Sequence, residues 1–422
     1  MKLEKFDYQI GNKRKKNTFL ILGLVCLGAF VTIILYRTFA RFEVTNSYNI
    51  IGGKVADFSI ADGLSMYLVA EDGTESPTSI IPLEDEYVYD ATRSKCVNGT
   101  EIIYDKENDS ISIDESAGDT CNVYFNYIPL ATQTLYAFGY TLSDVKEGIP
   151  YGPDGTNESG FYKTEDDYGI SYYYYTALSD MPPYISFYDY GEGYSYFLVR
   201  INGNGSIRLL TDFTNYTAYN DVANDNKVYL GYVYNELGVE NIENFQSSAI
   251  KNVIDNHHNT FDNSLLSDAI FCNDRSLYVE EYGEKESDDF VDDNGNDTTY
   301  YGAYYRIRNN TPSLKCKNKN DAFTIDDTQN GNGLLDYPVG LLTADEAYMT
   351  NINSWLYSSW ASVDNITMSP AMFKDGVAYI YGSKDSELVP VSISEFNDFS
   401  EVINVKYGVT ITGSDGYYDI TQ

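Results

Sequence analysis

Residues 17–36 (NTFLILGLVCLGAFVTIILY) contain no charged side chain. Twenty residues rising ~1.5 Å each make a helix about 30 Å long, the thickness of a bilayer's hydrocarbon core. Lys13, Arg14, Lys15 and Lys16 stand directly before the run, and only Arg37 and Arg41 follow closely. Cytoplasmic flanks carry the excess of Lys and Arg, so the expectation is a single-pass plasma-membrane protein. Residues 1–16 form its cytoplasmic basic tail, 17–36 its transmembrane helix, and the C-terminal domains lie outside the cell. A cleaved signal peptide competes, because Thr38-Phe39-Ala40 loosely fits a small-x-small site. Against it, the run exceeds a usual signal core and Arg37 crowds the site. A type IV pilin stem is a weaker competitor, lacking a processed Gly and an early glutamate.

The charge is divided along the same line. The chain carries 28 basic and 63 acidic residues; eight and two of these fall in 1–41, leaving 20 and 61 beyond. So acidic a surface repels nucleic acid and anionic lipid, which excludes both as partners of the ectodomain. Solubility outside the cell accounts for the excess; a divalent cation or a basic partner is the sharper alternative.

Cysteine usage fits an oxidising compartment. Cys26 sits inside the apolar run, while Cys96, Cys121, Cys272 and Cys316 form an even set beyond it. Four cysteines allow three connectivities. Cys96–Cys121 and Cys272–Cys316 are favoured because each pair then falls within one domain. No CxxC or Cys/His spacing points to zinc or thioredoxin-type chemistry.

Residues 42–128 read as short strands between Asn/Asp/Gly clusters, with candidates at 66–69, 87–89, 101–104, 111–113 and 122–125. A small β-sandwich-like module, serving as a spacer, is expected. From 129 the texture turns rich in Tyr, Gly, Asp and Asn. Tyr172, Tyr173, Tyr174 and Tyr175 stand in a row, either as strand and turn residues or as an exposed stacking surface for a ligand. The clearest hairpin spans 197–210, two apolar strands around Asn202-Gly203-Asn204-Gly205. Helices are expected at 247–260, capped by Ser247 or Ser248, and from Thr343 onward, where acids occupy the first turn. The end returns to strands at 376–381, 401–406 and 408–412. The predicted class is α+β, rich in strand.

Catalytic patterns are missing. His257 and His258 are the only histidines. Neighbours on a helix point apart, so the pair is not expected to chelate one metal from a shared face. No GxSxG elbow, P-loop, GxGxxG or HExxH occurs. A glycosidase-type carboxylate pair among so many acids has no sequence address. Residues 292–297 (DDNGND) offer oxygen ligands for calcium, but Asp297 and Ala303 stand where an EF-hand needs Gly and Glu. No cofactor is therefore assigned, calcium at that loop being the one possibility held open.

Several segments carry a resemblance: residues 199–209 (VRINGNGSIRL), 249–255 (AIKNVID), 271–276 (FCNDRS), 338–346 (PVGLLTADE), Met368-Ser369-Pro370 and 402–405 (VINV). In these the chain resembles uncharacterised membrane-anchored surface proteins of gut-dwelling Gram-positive bacteria. Residues 36–40 and the Cys96 to Cys121 module are similar to theirs as well. The resemblance implies that residues 129–422 form a C-type-lectin-like α+β domain, distantly akin to formylglycine-generating enzymes and closed by a terminal hairpin. It does not carry activity over. The formylglycine enzymes use reactive, copper-binding cysteines, whereas Cys272 and Cys316 read as a structural pair. Calcium-dependent lectins use Glu-Pro-Asn and Trp-Asn-Asp, and this chain has Val363-Asp364-Asn365 and no Glu-Pro-Asn. Thr367 stands where the relatives often have Trp, and Trp355 or Trp360 is expected to rebuild that core position.

The expectation is a surface binding or adhesion protein without catalysis, recognising an extracellular glycan or protein. Loops at 282–297 and 355–365 are its expected contact region, with Trp355, Trp360, Asp364 and Asn365 as candidate ligand residues. A glycan hydrolase with paired carboxylates and a purely structural envelope protein are the alternatives.

Overall fold

A computed structural model describes residues 64–83, 86–106, 108, 110–113, 119–189, 192–212, 215–218, 233–235, 245–258, 263–276, 290–291, 297–356, 365–374 and 377–421. The expected membrane span at 17–36 and the calcium loop at 292–296 lie outside these. No helix among the described residues is long and apolar enough to cross a membrane.

The chain is α+β and strand-rich, with several sheets. The first sheet is built from β1 (Leu64–Val69), β2 (Glu75–Thr78), β3 (Tyr87–Tyr89), β4 (Lys95–Cys96) and β7 (Cys121–Tyr127). β7 is its axis, parallel to β1 and antiparallel to β3 and β4. Alternation along Cys121-Asn122-Val123-Tyr124-Phe125 turns Cys121, Val123 and Phe125 inward, where all three are buried. The hairpin β5 (Ile102–Asp105) with β6 (Ser110–Ile113) covers that face through Ile102, Tyr104, Ile111 and Ile113. Cys96 faces Cys121 across the β4–β7 pair, and the two are disulfide-bonded.

Helix α1 (Leu130–Ala137) leads into a nine-stranded sheet. Its members are β8 (Gly160–Asp166), β9 (Gly169–Tyr175), β10 (Tyr184–Asp189), β11 (Glu192–Ile201), β12 (Ile207–Thr211), β20 (Val339–Gly340), β25 (Val402–Val405), β26 (Thr410–Ser414) and β27 (Tyr417–Thr421). Their order is β20-β25-β12-β11-β10-β27-β26, with β9 beside β11 and β8 beside β9. The β11–β12 hairpin turns through Asn202-Gly203-Asn204-Gly205 as its residues require: Asn202 N donates to Ser206 O at 2.8 Å, and Gly205 has φ +79°. β12 and β25 are buried along their whole length, so both faces of the sheet's centre are covered. The terminal hairpin β26–β27 docks on the sheet with β27 parallel to β10.

A second large sheet joins β17 (Phe290–Val291), β18 (Asp297–Tyr300), β21 (Ile366–Lys374), β22 (Val377–Lys384) and β23 (Glu387–Ser392). Short pairs complete the strands: β13 (Asn215–Ala218) with β24 (Phe396–Phe399), β14 (Val233–Asn235) with β15 (Phe245–Ser247), and β16 (Phe271–Cys272) with β19 (Ala322–Phe323). The helices are α2 (Ala249–His258), α3 (Gly302–Arg308), α4 (Ala344–Thr350) and α5 (Ile352–Trp355). Ser248 caps α2, its Oγ accepting from Lys251 N. Thr343 and Glu346 close a full capping box on α4. Gly63–Gln422 form one compact unit.

The tyrosine row is core, and a stacking surface there is ruled out. Tyr172, Tyr173 and Tyr175 of β9 are buried; Tyr173 stacks on Tyr162 at 5.6 Å, and Tyr172 OH lies 2.8 Å from Thr132 Oγ1. Burial pushes the Tyr174 phenol up to about 12.

Candidate functional site

Five of the six segments singled out in the sequence, all but 249–255, meet at one buried ionic cluster. Arg200 Nε donates to Glu346 Oε1 at 2.9 Å and its Nη1 to Asp166 Oδ2 at 2.7 Å. Arg208 reaches the same Glu346 through Nε at 2.6 Å and Nη2 at 3.1 Å, and lies 4.5 Å over the Phe271 ring. Asp345 takes both arms of Arg306, at 2.7 and 2.8 Å, while a third guanidinium nitrogen donates to Asp274. Asn404 accepts from Asn202 Nδ2 at 2.9 Å, and Ser369 Oγ accepts from Ala344 N at 2.9 Å. Gly203 belongs to the same machinery. Its N donates to Asp166 at 3.0 Å, and a Cβ there would stand 2.7 Å from Asp166 Oδ1.

Electrostatics follow from who shares whom. Burial lifts the Glu346 carboxyl, but Arg208 and Arg200 outweigh it and hold the group below its ordinary range. Arg200, between two carboxylates, is raised despite burial. Among the described residues, Arg208 has Glu346 alone as a direct anionic partner and faces Arg200, so burial brings it down to about 10; it stays cationic at neutral pH. Asp167 is exposed, but partial desolvation and the neighbouring Asp166 raise its carboxyl, although Cys316 N donates to it. The cleft between these groups encloses about 20 Å³, room for one water molecule. No substrate fits there. The cluster ties β8, β11, β12, α3 and α4 together and explains why the sequence segments are distinctive: they hold the fold.

The other hollow is of a different kind. A groove of about 360 Å³ runs between α1, the β11–β12 turn and the stretch joining β25 to β26. Gln133, Thr134, Tyr136 and Ala137 form one wall, Gly205 and Ile207 the floor, and Lys406, Tyr407, Gly408, Val409 and Ile411 the other wall. Tyr136 and Tyr407 are 38% and 43% exposed at its mouth. Gln133 Nε2 donates to Ile128 O and its Oε1 accepts from Tyr407 OH, at 2.6 and 2.5 Å. Thr134 Oγ1 donates to Gly205 O at 2.7 Å. Two exposed tyrosines and a lysine beside the half-buried Val409 and Ile411 match the make-up of a small-ligand site, whose volume is about 300–1,000 Å³.

A third feature is the meeting of both histidines at one carboxylate, from two sides rather than one shared face. His257 Nδ1 lies 3.0 Å from each carboxylate oxygen of Glu401, and His258 Nε2 lies 2.8 Å from Oε2. The rings do diverge on α2, but one uses its near nitrogen and the other its far one. Among the described residues, these are the side chains placed to hold a metal ion.

Of the expected site residues, Cys272 and Cys316 are disulfide-bonded, as are Cys96 and Cys121. Trp355 is buried and packs edge-on against Phe197 at 5.1 Å. Asn365 is buried too, its N donating to Ser383 Oγ and its Nδ2 to Ser400 Oγ. Trp360 and Asp364 lie outside the described residues, as does most of the expected contact loop at 282–297. The groove residues carried no motif; the turn at Gly205 and the strands expected at 401–406 and 408–412 were what marked that region in the sequence. Compared with known protein families, curated proteins and solved structures, the chain matches none.

Proposed function

We propose that this chain is a membrane-anchored surface protein whose lectin-like head binds an extracellular glycan without catalysis, in the groove between α1 and the β25–β26 stretch. The observation that carries this reading is the groove itself: about 360 Å³ with Tyr136 and Tyr407 at its mouth and Gln133 and Lys406 in its walls. Exposed aromatic rings take the C–H face of a sugar ring, and the Lys406 ammonium, which donates one N–H to Ser264 O at 2.7 Å, keeps others for its hydroxyls. The terminal hairpin closing on β10 agrees with the lectin-like architecture, and the uncharged run at 17–36 with the anchor. A hydrolase is disfavoured, because the carboxylate-lined cleft has room for one water and four of its acids, Asp166, Asp274, Asp345 and Glu346, are committed to guanidinium partners.

The test is a glycan array probed with the purified full-length chain and with Tyr136→Ala and Tyr407→Ala. Retained Tm with lost glycan binding in both variants supports the groove. Absence of any glycan bound by the parent chain, or binding that survives both substitutions, overturns it.

A further inference from the structure

We propose that His257, His258 and Glu401 form a binding site for a first-row divalent cation, zinc foremost. The chain has only two histidines in 422 residues, and both meet one carboxylate. That carboxylate comes from a distant part of the chain, 143 residues beyond His258.

The spacing is that of a coordination sphere. Zinc bonds of ~2.1 Å set neighbouring ligand atoms roughly 3.0–3.4 Å apart. The nitrogen–oxygen separations here are 2.8, 3.0 and 3.0 Å. All three ligand atoms lie within 4.8 Å of one another, so a cation draws them together without moving the backbone elements apart. Two imidazoles and a carboxylate suit zinc and its first-row neighbours rather than calcium, which prefers an all-oxygen shell.

Burial is graded in a useful way. The side chains of Glu401 and His258 are 1% and 3% exposed, whereas that of His257 is 39% exposed. Two ligands are thus fixed inside the fold and the third stands at its surface, leaving a solvent-facing side for entry and for water ligands. The backbone of Glu401 is pinned to β12, its N donating to Thr211 Oγ1 at 3.0 Å and its O accepting from Thr211 N at 2.9 Å. Asp255, one turn earlier on α2, is paired with Lys251.

The test is calorimetric titration of the chelator-stripped full-length chain with Zn²⁺, paired with thermal melts and with the visible absorption of added Co²⁺. Saturable uptake of one Zn²⁺ per chain, a zinc-dependent rise in Tm and a Co²⁺ band are expected. His257→Ala, at the surface, should leave the metal-free Tm unchanged, weaken Zn²⁺ binding by about tenfold or more and remove the Co²⁺ band. Glu401→Gln checks the same point from inside. No saturable uptake by the parent chain, or an affinity unaltered in His257→Ala, overturns the site.

Discussion

Arg200 and Glu346, 146 residues apart in the chain, meet at 2.9 Å where almost no water reaches them. The contact joins the central strand β11 to the first turn of α4, and Arg208 binds the same carboxylate from β12. Removing the anion leaves two guanidiniums buried without it. Glu346→Gln should therefore cost about 3–5 kcal/mol in urea unfolding. It also weakens the bond that Glu346 Oε2 accepts from Thr343 N. The exposed pair Lys315–Glu165 is the control, and breaking it should leave the urea midpoint nearly unchanged, because solvent screens it. Equal costs for the two would contradict the central role of the cluster.

The same carboxyl sets a direction for acid stability. Glu346 is held below its ordinary value in the folded chain, so the unfolded chain binds its proton more tightly. Its contribution is complete above the unfolded carboxyl's pKa, about 4.3, and is lost as the pH falls through the folded value. Urea midpoints of the parent chain and Glu346→Gln should converge as the pH drops from neutral towards 3. A constant gap across that range would show that ionisation of Glu346 is irrelevant.

Much of the fold was legible from turn and cap chemistry. Asn202-Gly203-Asn204-Gly205 marked the β11–β12 hairpin, Ser248 the start of α2, and Thr343 with Glu346 the start of α4. The ionic cluster was not legible. Arg200 and Arg208 sit in strands whose apolar–charged pattern reads as one wet face, yet both are buried, because their partners arrive from β8 and α4. Glu401 and Tyr407 were hidden for the same reason: pairing across more than a hundred residues leaves no local mark. Trp355 was the most visible candidate ligand residue and lies in the core.

Trp355 accordingly supplies a prediction that separates packing from binding. Its indole fills space beside Phe197, so Trp355→Ala should cost about 3–5 kcal/mol. Trp355→Phe should recover most of that and bind glycan like the parent chain. A Trp355→Phe protein with an unchanged Tm and no glycan binding would move the ligand site to α5.

Disulfide topology can be read directly. Non-reducing peptide maps should show Cys96 linked to Cys121 and Cys272 linked to Cys316, with no crossed links. The second bond spans 44 residues and fastens the segment after α3 beside the ionic cluster. Loss of it in a Cys272→Ser, Cys316→Ser double variant should cost about 2–4 kcal/mol. Crossed links, or a stability unchanged by the double substitution, would contradict that assignment.

Two glycines of the groove isolate what Tyr407 does there. Gly205 and Gly408 have nearly the same backbone, φ +79° and +84°, so an added side chain meets similar strain at each, about 1–2 kcal/mol. Their surroundings differ. A Cβ at Gly205 would lie 2.7 Å from the Tyr407 ring and 3.0 Å from Leu130, while one at Gly408 meets nothing within 4 Å. Gly205→Ala must therefore push the Tyr407 ring away and loosen its bond to Gln133, in addition to the strain. It should lower Tm more than Gly408→Ala and weaken glycan binding, whereas Gly408→Ala should show the strain alone. Equal losses of Tm with binding intact in both variants would mean that the seat of Tyr407 on Gly205 does not shape the groove.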